Sequence, residues 1–287
     1  MTKSLLILSI LISTSSFAAT KGIKVIYGDD NRVDVIDSTN AMYVELSQST
    51  AAMIGKRNVS KPASGVISIK GSTLESMGMC KSERFSQQPT AASCSGFLVG
   101  EDLLVTAGHC MQRQSDCNNN KWVFDYKIES KAKASISVSE SSVYSCKKII
   151  NQVLNNSNQD DFAIIQLDRK VTGRRVLDYR RSGKIKKNQD IVVIGHPTGL
   201  PTKIADGAVV RSLSKKYFSA NLDTYGGNSG SAVFNADTGV IEGILVRGAT
   251  DYVYDSSQGC RVSNVLSNTS GRGEDVTYIT NIPELQN

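Results

Sequence analysis

Histidine is the scarcest chemistry-bearing side chain in this sequence, present only as His109 and His196. With so few, no group of Cys and His stands at zinc-ligand spacing, and a metal-centred mechanism is not expected. Aromatic residues are also thin, 7 Phe, 10 Tyr and 1 Trp, too few for a platform on which nucleobases stack. No apolar run reaches the roughly 18 residues that a membrane-spanning helix needs, so no membrane anchor is expected. Neither sign of charge dominates. The 33 basic and 27 acidic residues leave +6 over 287 positions, which argues for solubility and weak attraction to anionic surfaces rather than for a nucleic-acid partner. What is present, 40% hydrophobic and 21% charged residues, excludes a disordered chain and suffices for one large or two small cores.

Residues 1–18 have the pattern of a secretory signal peptide. Lys3 gives the positive start, Leu5 to Ile12 the apolar stretch, and Ser16-Phe17-Ala18 the small-x-small cleavage site. The mature chain would begin near Ala19 and be secreted, to a periplasm or outside the cell. Six cysteines are an even number in a compartment that permits disulfides, so up to three bridges are expected.

From about Ser64 onward, short apolar segments alternate with Gly, Asn, Asp and Ser clusters. They are Gly96–Val99, Leu103–Thr106, Trp122–Tyr126, Phe162–Leu167, Ile191–Ile194, Ala208–Leu213, Ser231–Phe234, Val240–Leu245 and Val276–Ile279. They read as strands of an all-β protein, because no helical segments of 10 to 15 residues separate them. Between the two sets, residues 168–187 carry nine Lys or Arg against Asp168 and Asp178, the composition of a polar linker between two β-domains. Residues 19–63 are either a pro-segment or a packed N-terminal extension. Within them Met42, Leu46 and Met53 suggest a helix over Asn40–Ile54, capped at Asp37, Ser38 or Thr39.

Three motifs carry chemistry. Val105-Thr106-Ala107-Gly108-His109-Cys110 follows a strand and has Cys94 sixteen residues earlier; Tyr225-Gly226-Gly227-Asn228-Ser229-Gly230-Ser231 is a glycine-rich serine loop; Gln159-Asp160-Asp161-Phe162 opens a strand with acids. A serine hydroxyl needs a base within hydrogen-bond reach and donors for the developing oxyanion. Together these motifs resemble the chymotrypsin-like (trypsin-like) serine peptidases, and Asn228 before Ser-Gly-Ser is similar to the bacterial glutamyl endopeptidase branch. The order His109, Asp161, Ser229 is that of the chymotrypsin type and not of subtilisins or α/β-hydrolases, which also disfavours an esterase with the same three residues.

The resemblance implies two antiparallel six-stranded β-barrels with the active site between them, the first ending near residue 170 and the second starting near 188. It implies a secreted serine endopeptidase, expected to be a monomer, acting on protein or peptide substrates without a cofactor. Ser229 would be the nucleophile, His109 the base and Asp161 its orienting acid, Asp160 being the exposed neighbour; the Gly227 and Ser229 amides would hold the oxyanion. With Asn228 in place of an acid, the activation ion pair of animal trypsin-like enzymes cannot form, so any maturation beyond signal removal takes another route, such as trimming within 19–63. Asp223, six before Ser229, stands where trypsin-like members hold the pocket-base carboxylate. Thr224 stands where the glutamyl branch places a hydroxyl, but Leu245 replaces that branch's histidine. Arg247 brings a cation to the cleft mouth, as substrate contact or as partner of Asp223, and Asp275 is a further acid near the pocket. The balance favours Arg or Lys at P1, with acidic, small and apolar residues as alternatives. The family pairs Cys94 with Cys110. Cys117 and Cys146 flank two segments expected to be neighbouring strands, Lys121–Tyr126 and Ala134–Val138, leaving Cys80 with Cys260, although four cysteines permit three patterns. His196 lies in a Gly/Pro turn and is not expected to act in catalysis. The rival reading is a catalytically silent peptidase-fold protein that binds a partner or an anionic surface through residues 168–187.

Overall fold

The computed structural model describes residues 26–130, 135–248 and 250–286; the signal-like residues 1–18 lie outside the described residues. Six strands close a first barrel: β1 (Thr50–Gly55), β2 (Ala92–Leu98), β3 (Leu103–Thr106), β4 (Asn120–Val123), β5 (Val143–Asn155) and β6 (Asp160–Leu167). Six more close a second: β7 (Asp190–Gly195), β8 (Lys203–Leu213), β9 (Tyr217–Ala220), β10 (Ala232–Asn235), β11 (Ile241–Arg247) and β12 (Glu274–Tyr278). All pairings within both barrels are antiparallel. Around the first barrel the order is β1-β2-β3-β6-β5-β4, and around the second it is β7-β8-β9-β12-β11-β10, the same path six strands on. Both barrels of the expected all-β architecture are therefore present.

The apolar residues explain why each sheet closes where it does. Along β7, Ile191 and Val193 belong to the cluster that all six strands of the second barrel supply, together with Val210, Phe218, Val233, Leu245 and Val276. The alternate residues Val192 and Ile194 join a larger cluster that also holds Phe97, Leu104, Val105 and Phe162 of the first barrel. A strand buried on both faces reads as a continuous apolar run, and a one-residue slip would exchange its two sets between the cores. Each fully buried Ile, Val or Phe contributes about 1.5–3 kcal/mol relative to exposure, so the alternation fixes the register.

The N-terminal stretch differs from its expected form. The helix is short, α1 (Ala41–Ser47), capped by Asn40, whose side-chain oxygen accepts from the Met42 and Tyr43 amides. It ends because residues 50–55 are needed as β1, paired on one side with β2 and on the other with β4; Met53 is a strand residue. The first barrel therefore takes in residues 50–55, before residue 64. Arg32–Asp34 is a further strand paired with β8, and Ile26–Tyr27 pairs in parallel with Val265–Leu266.

Residues 168–187 are tacked down more firmly than a solvated linker. Val171, Leu177 and Ile185 are buried, Tyr179 bridges to Ile241, and Arg174, Arg175 and Arg180 pair with Asp125, Glu45 and Glu242. The bridges are Cys94–Cys110, Cys117–Cys146 and Cys80–Cys260. Ser135–Ser139 pairs with Val66–Lys70 in a separate small sheet, so it does not neighbour β4. The Cys117–Cys146 bridge instead ties helix α2 (Gln114–Asn119) to β5.

Candidate active site

His109 sits in a short turn, Gly108–Cys110, directly after β3. That turn lies so close to the first barrel that a Cβ on Gly108 would fall 1.9 Å from the Val153 carbonyl oxygen; only glycine lets the chain pass there. The approach brings His109 over the start of β6, where Asp161 is 1% exposed. The His109 amide donates to Asp161 Oδ1 at 3.1 Å and its Nδ1 faces Oδ2 at 2.9 Å. An ionised carboxylate only accepts, so Nδ1 carries the proton and Nε2 is left as the basic nitrogen. The doublet's other acid is not exposed as expected: Asp160 is buried, held by Lys216 at 2.9 Å and by the Asn281 amide at 2.8 Å. A buried charge needs such partners.

Ser229 arrives from the second barrel, on the loop between β9 and β10. The loop turns at Gly227, whose φ of +93° suits a residue without a Cβ, and a Cβ there would meet the His196 carbonyl oxygen at 2.5 Å. The first barrel holds this loop through Ser95 of β2, fully buried beside Cys94. The Ser95 amide donates to the Ser229 carbonyl at 2.8 Å and its hydroxyl to the Gly227 carbonyl at 2.9 Å. The Asn228 amide is used by Tyr225 and that of Gly226 by Asp251, whereas the Gly227 and Ser229 amides donate to no group among the described residues. His109, Asp161 and Ser229 line one open cleft of about 360 Å³ with Val246, Arg247 and Gly248. The Cys94 and Cys110 sulfurs near His109 are joined to each other, so they offer no thiolate to a metal.

His196 is excluded from this cleft. It is fully buried, its Nδ1 donates to the Leu200 carbonyl at 3.1 Å, and burial pushes the ring down to about 3. It stays a neutral core residue.

The residues expected in the specificity pocket divide. Arg247 lines the cleft; Asp223 and Thr224 do not. Both oxygens of Asp223 are taken by the N-terminal segment, accepting from the Tyr27 amide at 2.8 Å and the Asn31 amide at 3.0 Å. Burial raises its pKa to about 6, because the two backbone bonds only partly replace the lost water. Arg247 is not its partner: the guanidinium lies 3.3 Å from Asp275 and 3.6 Å from Asp161. The Thr224 hydroxyl donates to Glu274 Oε2 at 2.7 Å, and that carboxylate packs against the backbone of Gly248, where a Cβ would come within 1.6 Å of it. Sequence reasoning misses Ser95, Glu274 and the approach of Arg247 to Asp161. The last has a signal in the acid doublets Asp160-Asp161 and Glu274-Asp275, each opening a barrel strand.

Two barrels with a histidine, an acid and a serine meeting at their seam define the chymotrypsin-like architecture. The family model of the trypsin-like peptidase domain matches residues 94–244, more than half of the chain, and the chain belongs to that family of peptidases. Among solved structures it is similar to the VesB protease of Vibrio cholerae, with 14% identity, a TM-score of 0.50, and coverage of 90% of this chain and 65% of that one. A Glu endopeptidase solved with MPD is 16% identical with a TM-score of 0.49, covering 85% of this chain and 94% of that one. No curated protein sequence matches.

Proposed function

We propose that the protein is a secreted serine endopeptidase in which Ser229 attacks the scissile carbonyl and forms an acyl-enzyme. His109 takes the proton at Nε2 and returns it to the leaving amine, while Asp161 orients the ring and stabilises the imidazolium. The Gly227 and Ser229 amides receive the oxyanion. The observation that carries this reading is the pair of hydrogen bonds from His109 to Asp161, facing a cleft that Ser229 also lines. The three disulfides and the apolar leader support export. For P1 we favour Arg or Lys. With Asp223 occupied by backbone amides, Glu274, whose carboxylate packs against the cleft residue Gly248, is a further acid beside the cleft.

The test is labelling of the chain from Ala19 with a fluorophosphonate, followed by peptide mapping. Label is expected on Ser229, and Ser229→Ala should lose both label and at least about 10⁴-fold in peptide hydrolysis while unfolding at the parent's temperature. Label on another residue, or undiminished hydrolysis in the variant, would sink the assignment. Peptides varied only at P1 test the pocket: a preference for Glu or Leu over Arg and Lys would rule out the cationic choice.

A further inference from the structure

Asp161 and Asp275 hold the same place in their barrels. Each is the second residue of the strand that opens on two acids, Asp160-Asp161-Phe162 in β6 and Glu274-Asp275-Val276 in β12. Arg247 lies between them. A register shift between Leu245 and Arg247 sets Arg247 opposite Asp275 in the β11–β12 pairing, and such a bulge re-aims the side chain at that point. Its Nε lies 3.3 Å from Asp275 Oδ2, its Nη2 donates to the Gln159 carbonyl at 2.8 Å, and its Nη1 stands 3.6 Å from Asp161 Oδ2.

The other charges nearby are committed elsewhere. Lys216 serves Asp160, and Arg272 serves Asp275 at 2.5 Å. Among the described residues Arg247 is the one Lys or Arg within 4 Å of Asp161. Val246, the adjoining cleft residue, has no side-chain donor. Asp161 is 1% exposed and, among the described residues, its carboxylate hydrogen-bonds only to His109; a guanidinium beside such a carboxylate holds it in one orientation. The same guanidinium crosses the seam, since it belongs to β11 of the second barrel while Gln159 and Asp161 belong to the first.

We propose that Arg247 is a positioning residue: it fixes Asp161, and through it His109, relative to the barrel that carries Ser229, and is not primarily a substrate contact. The proposal rests on the reading of His109, Asp161 and Ser229 as a triad. Removal of a group that only binds substrate would raise KM; a misplaced acid lowers kcat, because small displacements of reacting groups cost up to about 10²-fold.

The experiment measures kcat and KM on one peptide for the parent, Arg247→Met and Arg247→Lys, with fluorophosphonate labelling and thermal unfolding on each. Arg247→Met should lower kcat about 10-fold to 100-fold with KM within about twofold. Arg247→Lys, which keeps a cation but loses the fork, should fall between the two, and added guanidinium ion should restore part of the activity of Arg247→Met. A folded Arg247→Met with parental kcat, or one changed only in KM, would overturn the proposal. If Arg247→Met does not fold, Arg247→Lys decides alone, a parental kcat counting against the proposal. A parent that carries no label on Ser229 would instead overturn the triad reading, and the proposal with it.

Discussion

The two barrels follow the same strand path, yet they treat comparable groups in opposite ways. In the first, the acid opening β6 and the histidine after β3 are paired at the seam, the imidazole part exposed and its partner buried. In the second, Asp275 is paired with arginines, Asp223 is covered by backbone amides, and His196 is sealed in the core with a carbonyl as its partner. The ring path alone therefore does not create a reactive site. What differs is whether a titratable group keeps a face toward the cleft. On the proposed reading, the first barrel supplies the acid and base, and the second supplies the nucleophile, its loop and the cation that reaches across.

The sharpest way to break this comparison is to neutralise the two equivalent acids. Asp161→Asn should lower kcat about 10⁴-fold, because an amide facing Nδ1 favours the wrong tautomer and leaves the imidazolium unsupported. Asp275→Asn touches the same network only through Arg247 and should cost about 10-fold, within the range of misplaced positioning groups. Steady-state kinetics on both variants checks the pair. Equal losses would mean that the two acids act as one network and that the division between barrels is false.

The two histidines give the next largest contrast. His196 is held at about 3 by burial, against about 6.5 for an exposed ring. The unfolded chain therefore binds a proton that the folded chain refuses between those values. Its contribution to stability is complete above about pH 6.5 and is lost as pH falls, by about 2 kcal/mol at pH 5 and by about 5 kcal/mol once the folded ring titrates. His196→Asn keeps a donor for the Leu200 carbonyl and removes the titration. Urea unfolding at pH 7 and pH 5 should show the parent losing about 2 kcal/mol more than the variant; parallel losses would show that His196 takes up its proton while folded.

Much of this division is legible in the chain, and the illegible part has physical causes. β3 and β7 stand out because their apolar residues are flanked by turn residues and feed one or two cores. β1 does not, since Met42, Leu46 and Met53 share a spacing that suits a helix, and only pairing with β2 and β4 makes residues 50–55 a strand. The motifs around His109, Asp161 and Ser229 are conspicuous because each combines a chemical side chain with a glycine or acid of local necessity. The pocket is not. Asp223 is spaced from Ser229 like a pocket-base carboxylate, but Tyr27 and Asn31, nearly 200 residues away, take its oxygens. Long-range partners of that kind leave no local pattern.

Asp223 supplies a pH effect with a smaller ceiling than that of His196, and one whose sign runs the other way. Its pKa is raised to about 6, against about 3.9 for an unfolded chain, so the folded state keeps a proton that the unfolded state releases. The stability this confers is present below about pH 4 and is lost as pH rises through 6, an effect of about 3 kcal/mol at most. Relative to Asp223→Asn, the parent should therefore weaken between pH 4 and 7, opposite in direction to the effect of His196. Chemical denaturation across that range measures it. A flat difference would mean that the Tyr27 and Asn31 amides hold the carboxylate ionised throughout, replacing the water it lost. The same variant separates structure from specificity: unchanged kcat/KM on Arg and Lys peptides is expected if Asp223 anchors the N-terminal segment, and a selective loss on those peptides would return it to the pocket.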